Sequence, residues 1–321
     1  MTREAFESSG RGRRLLIWAD EPHEHLIAGL LTRLQMPAVI ASPRESEAAR
    51  LAESLGLAQV ADLRRTVIES DQDVLLLLSR QPVVSETLEA ARGRAIPMLS
   101  LRPPMSLPEV EAATALPDFI PRFIDSPVVR SALDVLTEFG PREFVHLMFR
   151  GPSTFGPLAA RLADAMETID HLLEPCEQVD ATQPARGGKR PPQTLADLDG
   201  VLTAIVRFDG PMAAGLTVSD DAPDWSREVI ILGPRGVLRI TDNSYAWLDE
   251  TGRVVDQSNR PSLQAVDVLA RAILAHLDPA SVKPPPPAWE RVLSLCEAAR
   301  LSVLTGQGES PHKLRLILSQ V

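Results

Sequence analysis

The amino-acid sequence predicts a protein of two halves: an α/β half built on a parallel sheet, then an α+β half with an open, mainly antiparallel sheet. In the first hundred residues, short apolar runs alternate with stretches of helical periodicity. From about residue 200, strand-like runs follow one another with only short turns between them. Strands separated by helices run parallel and are covered on both faces, whereas consecutive strands joined by short turns pair antiparallel.

The first half is predicted to alternate strands and helices, which is the arrangement of a Rossmann-type domain. Short continuous apolar runs indicate buried strands, and Ala and Leu recur between them at helical spacing. Gly56 follows the last periodic residue of the second helix as its stop signal. The predicted strands are RLLIWA (14–19), AVIA (38–41), DVLLLL (73–78) and AIPMLSL (95–101). The predicted helices are HEHLIAGLLTRL (23–34), RESEAARLAESLG (44–56), DLRRTVIES (62–70) and VSETLEAARGR (84–94).

The second half is predicted to place helices on both sides of a run of strands. Helices at about Pro127–Phe139 and Pro157–Leu173 flank a strand, EFVHLMF (143–149), and a loop covers about 182–193. Turn signals LGPRG and DETG separate some of the later strands. These strands are GVLTAIVRF (200–208), MAAGLTVS (212–219), REVIILG (227–233), GVLRIT (236–241), YAWLD (245–249) and RVVDQ (253–257). Helices at 263–277, 289–304 and 313–318 end the chain, with a proline spacer at 284–287 before the second of them.

Composition restricts the classes of partner. The formal charge of −10 argues against a nucleic-acid surface, and no segment approaches the roughly 18 uninterrupted apolar residues of a membrane span. Residues 1–12 lack the apolar core of a signal peptide and are interpreted as a disordered lead-in. Two cysteines, Cys176 and Cys296, give no disulfide framework, which favours a reducing cytoplasm.

Three segments resemble the glucose-fructose oxidoreductase and inositol dehydrogenase (Gfo/Idh/MocA) family. They are AARLAESLGLAQVADLRRTVIESDQDVLLLLS, VIILGPRGVLRITDNSYAWLDETGRVV and LCEAARLSVLTGQGESP. The resemblance implies a dinucleotide-binding-like domain at 13–122 and a second domain at 123–321, whose last helices are able to pack back on the first. It also implies an NAD or NADP cofactor and hydride transfer to or from a sugar, cyclitol or similar polyol.

The phosphate loop departs from what that resemblance implies. A dinucleotide fold needs glycines after its first strand so that backbone N–H groups approach the pyrophosphate. Here the chain carries Trp18, Ala19 and Asp20, followed by EPHEH, with no glycine. The carboxylates of Asp20, Glu21 and Glu24 would face a dianion, and like charges about 4 Å apart cost roughly 1 kcal/mol even in water.

The other cofactor positions implied by the resemblance follow the second and fourth strands. Ser42, Arg44 and Ser46 after the second strand are typical of a 2′-phosphate site and favour NADP. The alternative is that Ser42 only helps to start the next helix and that Arg44 is solvated. Ser79, at the end of the fourth strand, is a further predicted cofactor-binding residue.

The catalytic motifs implied by the resemblance are also altered. At the position of a Glu-Lys-Pro motif stand Leu101, Arg102 and Pro103, and an arginine does not exchange a proton near neutral pH. In LADAMETIDHLL, aligning Asp170 with the family's aspartate puts Glu167 at the position of the family's histidine. Burial would have to raise the pKa of Glu167 for it to act as a base.

The turn DEPHEH (20–25) has two interpretations. His23 and His25 with Asp20 or Glu21 are zinc-type ligands, but no remote further ligand is evident, so no metal site is predicted. In the other interpretation Asp20 caps a helix that has Pro22 in its first turn, with the acids near the positive helix end.

Three functions remain open from the sequence. The first is an oxidoreductase homologue with degenerate cofactor and catalytic motifs, acting through a retained pocket or through assembly. The second is an NADP-dependent sugar or polyol dehydrogenase with an unusual phosphate loop. The third is a non-catalytic module that binds a sugar or an acidic metabolite, with Arg102 as anchor. A homo- or hetero-oligomer is expected through the strands LTAIVRF and REVIILG, whose apolar residues would otherwise form an exposed patch.

Overall fold

A computed structural model describes residues 12–173, 175–184, 191–260, 263–281 and 285–318. All but the last residue of the predicted lead-in, 1–12, lies outside these ranges. The first sheet has the order β3-β2-β1-β4-β5-β6, and its neighbouring strands are parallel. Its strands are β1 Leu15–Trp18, β2 Ala38–Ala41, β3 Ala58–Gln59, β4 Val74–Leu77, β5 Met98–Ser100 and β6 Asp118–Phe119. The helices between them are α1 Glu24–Leu34, α2 Glu45–Leu55, α3 Leu63–Glu69, α4 Ser85–Gly93 and α5 Leu107–Ala112.

The second sheet has the order β14-β13-β12-β11-β7-β10-β9-β8. Its strands are β7 Phe144–Pro152, β8 Cys176–Thr182, β9 Val201–Phe208, β10 Ala213–Ser219, β11 Asp221–Gly233, β12 Gly236–Thr241, β13 Ser244–Leu248 and β14 Val254–Asn259. The remaining helices are α6 Pro127–Phe139, α7 Leu158–Leu172, α8 Ala265–Leu277, α9 Trp289–Thr305 and α10 Pro311–Leu318. The predicted fold class, a Rossmann-type half followed by an α+β half, is confirmed.

The second sheet is mixed rather than wholly antiparallel. β10 pairs with β7 in parallel. Because β7 lies between β10 and β11 in the sheet, β10 and β11 do not pair with each other, although they are consecutive in the chain. β8 was not predicted: it follows the predicted helix at 157–173, and only its last residue, Thr182, lies in the predicted loop. Only Val179 and Ala181 of β8 are buried, so the segment carries too few apolar residues to show strand periodicity.

Helix α8 packs on the first half, although it follows the second sheet in the chain. Its apolar residues share a buried cluster with α1 and with strands β1 and β4. Gly29 of α1 permits this approach, because a Cβ there would lie 3.0 Å from Val266 Cγ2. Arg33 Nε and Asp267 Oδ1 form an ion pair at 3.0 Å across the same contact. Helix α9 instead belongs to the core of the second half. In the described part of the chain, no helix is long and apolar enough to cross a membrane.

Candidate functional site

The turn after β1 carries a carboxylate that is held by the end of β4. Asp20 Oδ1 accepts a hydrogen bond from Ser79 Oγ at 2.7 Å, and Asp20 Oδ2 accepts one from the backbone N–H of Arg80 at 3.2 Å. Asp20 stands at the N-cap position of a short 3₁₀ turn, Glu21–His23, but its side chain makes no cap bond. The prediction that Asp20 caps the helix is therefore wrong, because the adjacent strand offers its carboxylate better donors. Pro22 lies in the first turn, as that interpretation expects.

Trp18 and Ala19 close the same edge of the sheet. The Trp18 indole Nε1 donates to the Gln81 carbonyl oxygen at 3.2 Å, and Ala19 is fully buried. Trp18, Ala19, Asp20 and Ser79 are thus brought together, where β1 and β4 end. Backbone N–H groups of a glycine-rich loop would line this edge in a dinucleotide site, but here side chains occupy it.

The two histidines of the turn are separated. His23 is buried and its Nδ1 lies 3.2 Å from the Asp20 carbonyl oxygen, whereas His25 is exposed on α1. Burial lowers the pKa of His23, with the Asp20 contacts opposing. Glu21 Oε2 forms an ion pair with Arg50 Nη2 at 3.0 Å. No group of three His, Cys, Asp or Glu side chains suited to a metal ion occurs within the described ranges.

The positions predicted to hold a 2′-phosphate surround a carboxylate that the sequence analysis missed. Arg44 Nη1 pairs with Glu47 Oε1 at 2.7 Å, and Ser42 Oγ lies 3.4 Å from Glu47 Oε2. The Glu47 side chain is 12% exposed, while Ser46 is exposed to solvent. Glu47 therefore lies where it would compete with a phosphate for Arg44. The signal in the sequence was its i,i+3 spacing from Arg44.

Arg102 lies at the end of β5 and is tied to helix α5. Its backbone N–H donates to Ser100 Oγ at 3.0 Å, and its guanidinium Nη2 lies 3.7 Å from Glu109 Oε2. A loop of the second half packs against this strand end: a Cβ at Gly156 would lie 3.1 Å from the Leu101 carbonyl oxygen. Phe155 of the same loop packs on the core cluster that contains Leu101.

Glu167 and Asp170 lie on α7 and each forms an ion pair with a different arginine. Arg122 Nη1 lies 3.2 Å from Glu167 Oε1, and Arg291 Nη2 lies 2.9 Å from Asp170 Oδ2. Burial raises the pKa of Glu167 to about 8, against the opposing attraction of Arg122. Glu167 thus has a base-like pKa but is enclosed and paired.

A buried ionic cluster next to Glu167 was not predicted. Arg227 donates to Asp242 Oδ1 from Nη2 at 2.5 Å and to Asp164 Oδ2 from Nη1 at 2.8 Å. Asp164 Oδ1 also accepts from the Phe123 backbone N–H at 2.7 Å. The Trp225 indole donates to Asp242 Oδ2 at 2.9 Å. The cluster joins α7, β11 and the end of β12, on the face of the second half where the resemblance placed proton transfer.

Two cavities lie away from the turn after β1, and the second of them borders Arg122 and Arg291, the partners of Glu167 and Asp170. One, of about 560 Å³, is bordered by Arg13, Asp73 and Asp278, and the other, of about 680 Å³, is bordered by Phe119 and Trp289, among other residues. Neither is lined by a residue predicted to bind cofactor or substrate.

The structure is similar to solved structures of several dehydrogenases. UDP-N-acetylglucosamine 3-dehydrogenase from Acidithiobacillus ferrooxidans matches with a TM-score of 0.63 at 15% identity, over 91% of this chain and 98% of that chain. A levoglucosan dehydrogenase in complex with NADH and levoglucosan matches with a TM-score of 0.63 at 14% identity, over 93% and 98%. A myo-inositol dehydrogenase from Corynebacterium glutamicum matches with a TM-score of 0.59 at 17% identity, over 93% and 98%.

No protein-family model matches the sequence, and no curated protein matches it. The matches to solved structures show that the chain has the fold of the Gfo/Idh/MocA dehydrogenases. The resemblance seen in the sequence is thus confirmed for the fold.

Proposed function

We propose that this chain is a Gfo/Idh/MocA-like oxidoreductase homologue that has lost dinucleotide-dependent hydride transfer and acts through a retained ligand site and through assembly. The observation that carries the proposal is the Asp20 carboxylate, bonded to Ser79 and to the Arg80 N–H where a pyrophosphate would lie. The Asp20 carboxylate thus accepts these hydrogen bonds in the place of a cofactor pyrophosphate. A bound pyrophosphate would have to displace it or tolerate its charge.

The groups that would carry chemistry support the same proposal. Hydride transfer from an alcohol needs a group that accepts the hydroxyl proton. Arg102 is an arginine beside Glu109, and Glu167 is enclosed with Arg122. Neither is an accessible base. The ligand class that we propose is a sugar, a polyol or an acidic metabolite, bound without turnover. The negative net charge disfavours nucleic acid as a partner.

Titration with NADPH and with NADH tests the loss of cofactor binding. We expect tryptophan fluorescence to stay unchanged up to millimolar cofactor, because acids occupy the phosphate path. Asp20→Asn removes the charge and is expected to raise the affinity for NADPH above that of the wild type. Asp71→Asn, at an exposed aspartate, is the matched control and should change nothing. Quenching of the wild-type protein at micromolar cofactor would show an active NADP- or NAD-binding site and would contradict the proposal.

The outer face of the second sheet supports self-association. Phe144 of β7 pairs with Leu232, Leu232 with Val237, and Val237 with Leu248, so one row of apolar side chains crosses four strands. Leu232 is 38% exposed. Monomeric proteins seldom leave a contiguous apolar face uncovered. We propose that a second copy of this chain, or a related chain, covers it.

Leu232→Glu is expected to convert the assembly to a monomer, because it places a charge in the middle of this row. Light scattering coupled to size-exclusion chromatography measures the mass. Val84→Glu is the control, since Val84 is 61% exposed in the first half, away from the sheet. A wild-type protein that is monomeric at tens of micromolar would contradict the assembly.

We also propose a cytoplasmic location and a boundary near residue 122 between the two domains. Both cysteines are free, and Cys296 is buried, which suits a reducing compartment. Most buried residues of the two sheets lie in separate clusters, although Leu107 and Phe119 of the first half belong to the cluster of the second, and α8 joins the cluster of the first.

A further inference from the structure

Arg161, in the first turns of α7, is a buried cation whose hydrogen-bonding capacity is largely unused. The residue is 3% exposed. Its Nη2 lies 3.4 Å from the Pro152 carbonyl oxygen, a long bond, and its Nε has no partner in the part of the chain that the structure describes. An arginine presents five N–H donors, and buried donors in native proteins are nearly always satisfied. Arg161 therefore keeps donor capacity that a further acceptor would satisfy.

The carboxylates around Arg161 are committed to other donors. Asp164 and Asp242 bind Arg227, and Asp220 accepts from the backbone N–H groups of Leu158 and Gly200. They lower the electrostatic cost of the Arg161 charge without forming a described ion pair with it. The second cation, Arg227, opposes that charge.

Trp225 lies against the guanidinium of Arg161, and two glycines leave space for this contact. The Arg161 Cζ lies 4.2 Å from the centre of the Trp225 ring. On Gly151, a Cβ would lie 3.2 Å from Arg161 Nη2 and 3.0 Å from Trp225 Cε3, so a side chain there would displace the stack. On Gly156, a Cβ would lie 3.6 Å from Arg161 Nη1. A held, planar guanidinium is the group best suited to a carboxylate or phosphate.

The loop of residues 153–156, which follows β7, brings Arg161 to the junction of the two halves. Phe155 packs on Trp225, with ring centres 5.9 Å apart, and also on the cluster of the first half that contains Leu101. Gly156 links the same two regions, because a Cβ there would lie 3.1 Å from the Leu101 carbonyl oxygen and 3.6 Å from Arg161 Nη1. Gly156 ends this loop with a φ of 113°, a backbone conformation that glycine adopts readily.

We propose that Arg161 binds the anionic group, carboxylate or phosphate, of a small acidic metabolite whose remaining atoms lie against Trp225 and Phe155. This inference rests on the proposed function, because it names the ligand class of the retained site. The phosphate and the carboxylate share the chemistry that the guanidinium recognises, and the experiment separates them.

Thermal unfolding in the presence of a small panel tests the site. The probes are glucuronate for a carboxylate, glucose 6-phosphate and inorganic phosphate for a phosphate, glucose as the neutral comparison, and sodium chloride at matched ionic strength. We expect one anionic class to raise the Tm of the wild-type protein by several degrees and glucose and salt to leave it unchanged. Arg161→Met should abolish the shift, whereas Arg130→Met, at an exposed arginine, should keep it.

A second measurement applies if Arg161→Met does not fold. The same anion should change the tryptophan emission of the wild-type protein, and Trp225→Phe should remove that change. The inference is overturned if no anion raises the Tm more than salt does, or if the response survives in Arg161→Met. A micromolar NADPH response that persists in Arg161→Met would contradict the proposed function alone. A silent anion panel without any NADPH response would contradict this inference alone.

Discussion

Replacing Arg227 with methionine is expected to lower the free energy of unfolding by about 3–5 kcal/mol, the cost of leaving buried carboxylates without their cation. Arg227 is 2% exposed and holds both Asp164 and Asp242. Methionine keeps much of the side-chain volume, so the loss reports charge more than a cavity. Urea unfolding at neutral pH, followed by circular dichroism, measures the effect.

A control variant and a double variant are compared with Arg227→Met. Arg239→Met, at an exposed position of β12, should change the free energy of unfolding by no more than about 0.5 kcal/mol. Adding Asp242→Asn to Arg227→Met should recover part of the loss, since it removes one of the two stranded charges. A single variant as stable as the wild type would show that the cluster contributes nothing at neutral pH.

Glu167→Gln is expected to gain stability relative to the wild type as the pH rises from about 4.5 to about 8. Burial raises the pKa of Glu167 from 4.5 to about 8, so over this window the folded state holds a proton that the unfolded state has lost. The stability that this proton contributes is present below the unfolded pKa and is lost as the pH rises through the folded pKa. Each pH unit changes the balance by at most about 1.4 kcal/mol.

The measurement is the free energy of unfolding of both proteins across that pH range. Glu111→Gln, at an exposed glutamate of α5, is the control and should follow the wild type at every pH. The opposite trend, with Glu167→Gln losing ground as the pH rises, would mean that Arg122 keeps Glu167 ionised and that its pKa is not raised.

The fold was predictable where a segment carries its own signal. Val74–Leu77 is buried at every residue and appears as an unbroken apolar run, and α6 occupies the predicted range Pro127–Phe139. Helix α6 has a local signal at each end. At its start, the Ser126 side chain accepts a hydrogen bond from the Val128 N–H, and at its end Gly140 follows with a φ of 84°. β8 carries no such signal in its own sequence. It is a strand because it pairs with β9.

The site was predictable only in part, for the same reason. The sequence indicates that Asp20 is unsuited to a phosphate loop, and the structure adds the partner, Ser79, which is 59 residues away. The Arg44–Glu47 pair is local and was within reach of the sequence. Arg122, which encloses Glu167, is 45 positions away and is positioned by a different element. Distant partners of this kind decide whether a carboxylate is free to react.

The position of α8 has a consequence for synthesis on the ribosome. Leu269, Ile273 and Leu274 complete the apolar cluster of the first half, yet they are translated after the whole of the second sheet. The apolar surface of α1 therefore stays uncovered in the nascent first half until about 160 further residues have been made, counted from the end of the first sheet at Phe119 to Leu277. Maturation of the two halves is consequently coupled in time, and the interval before α8 docks is when the growing chain most needs protection from aggregation.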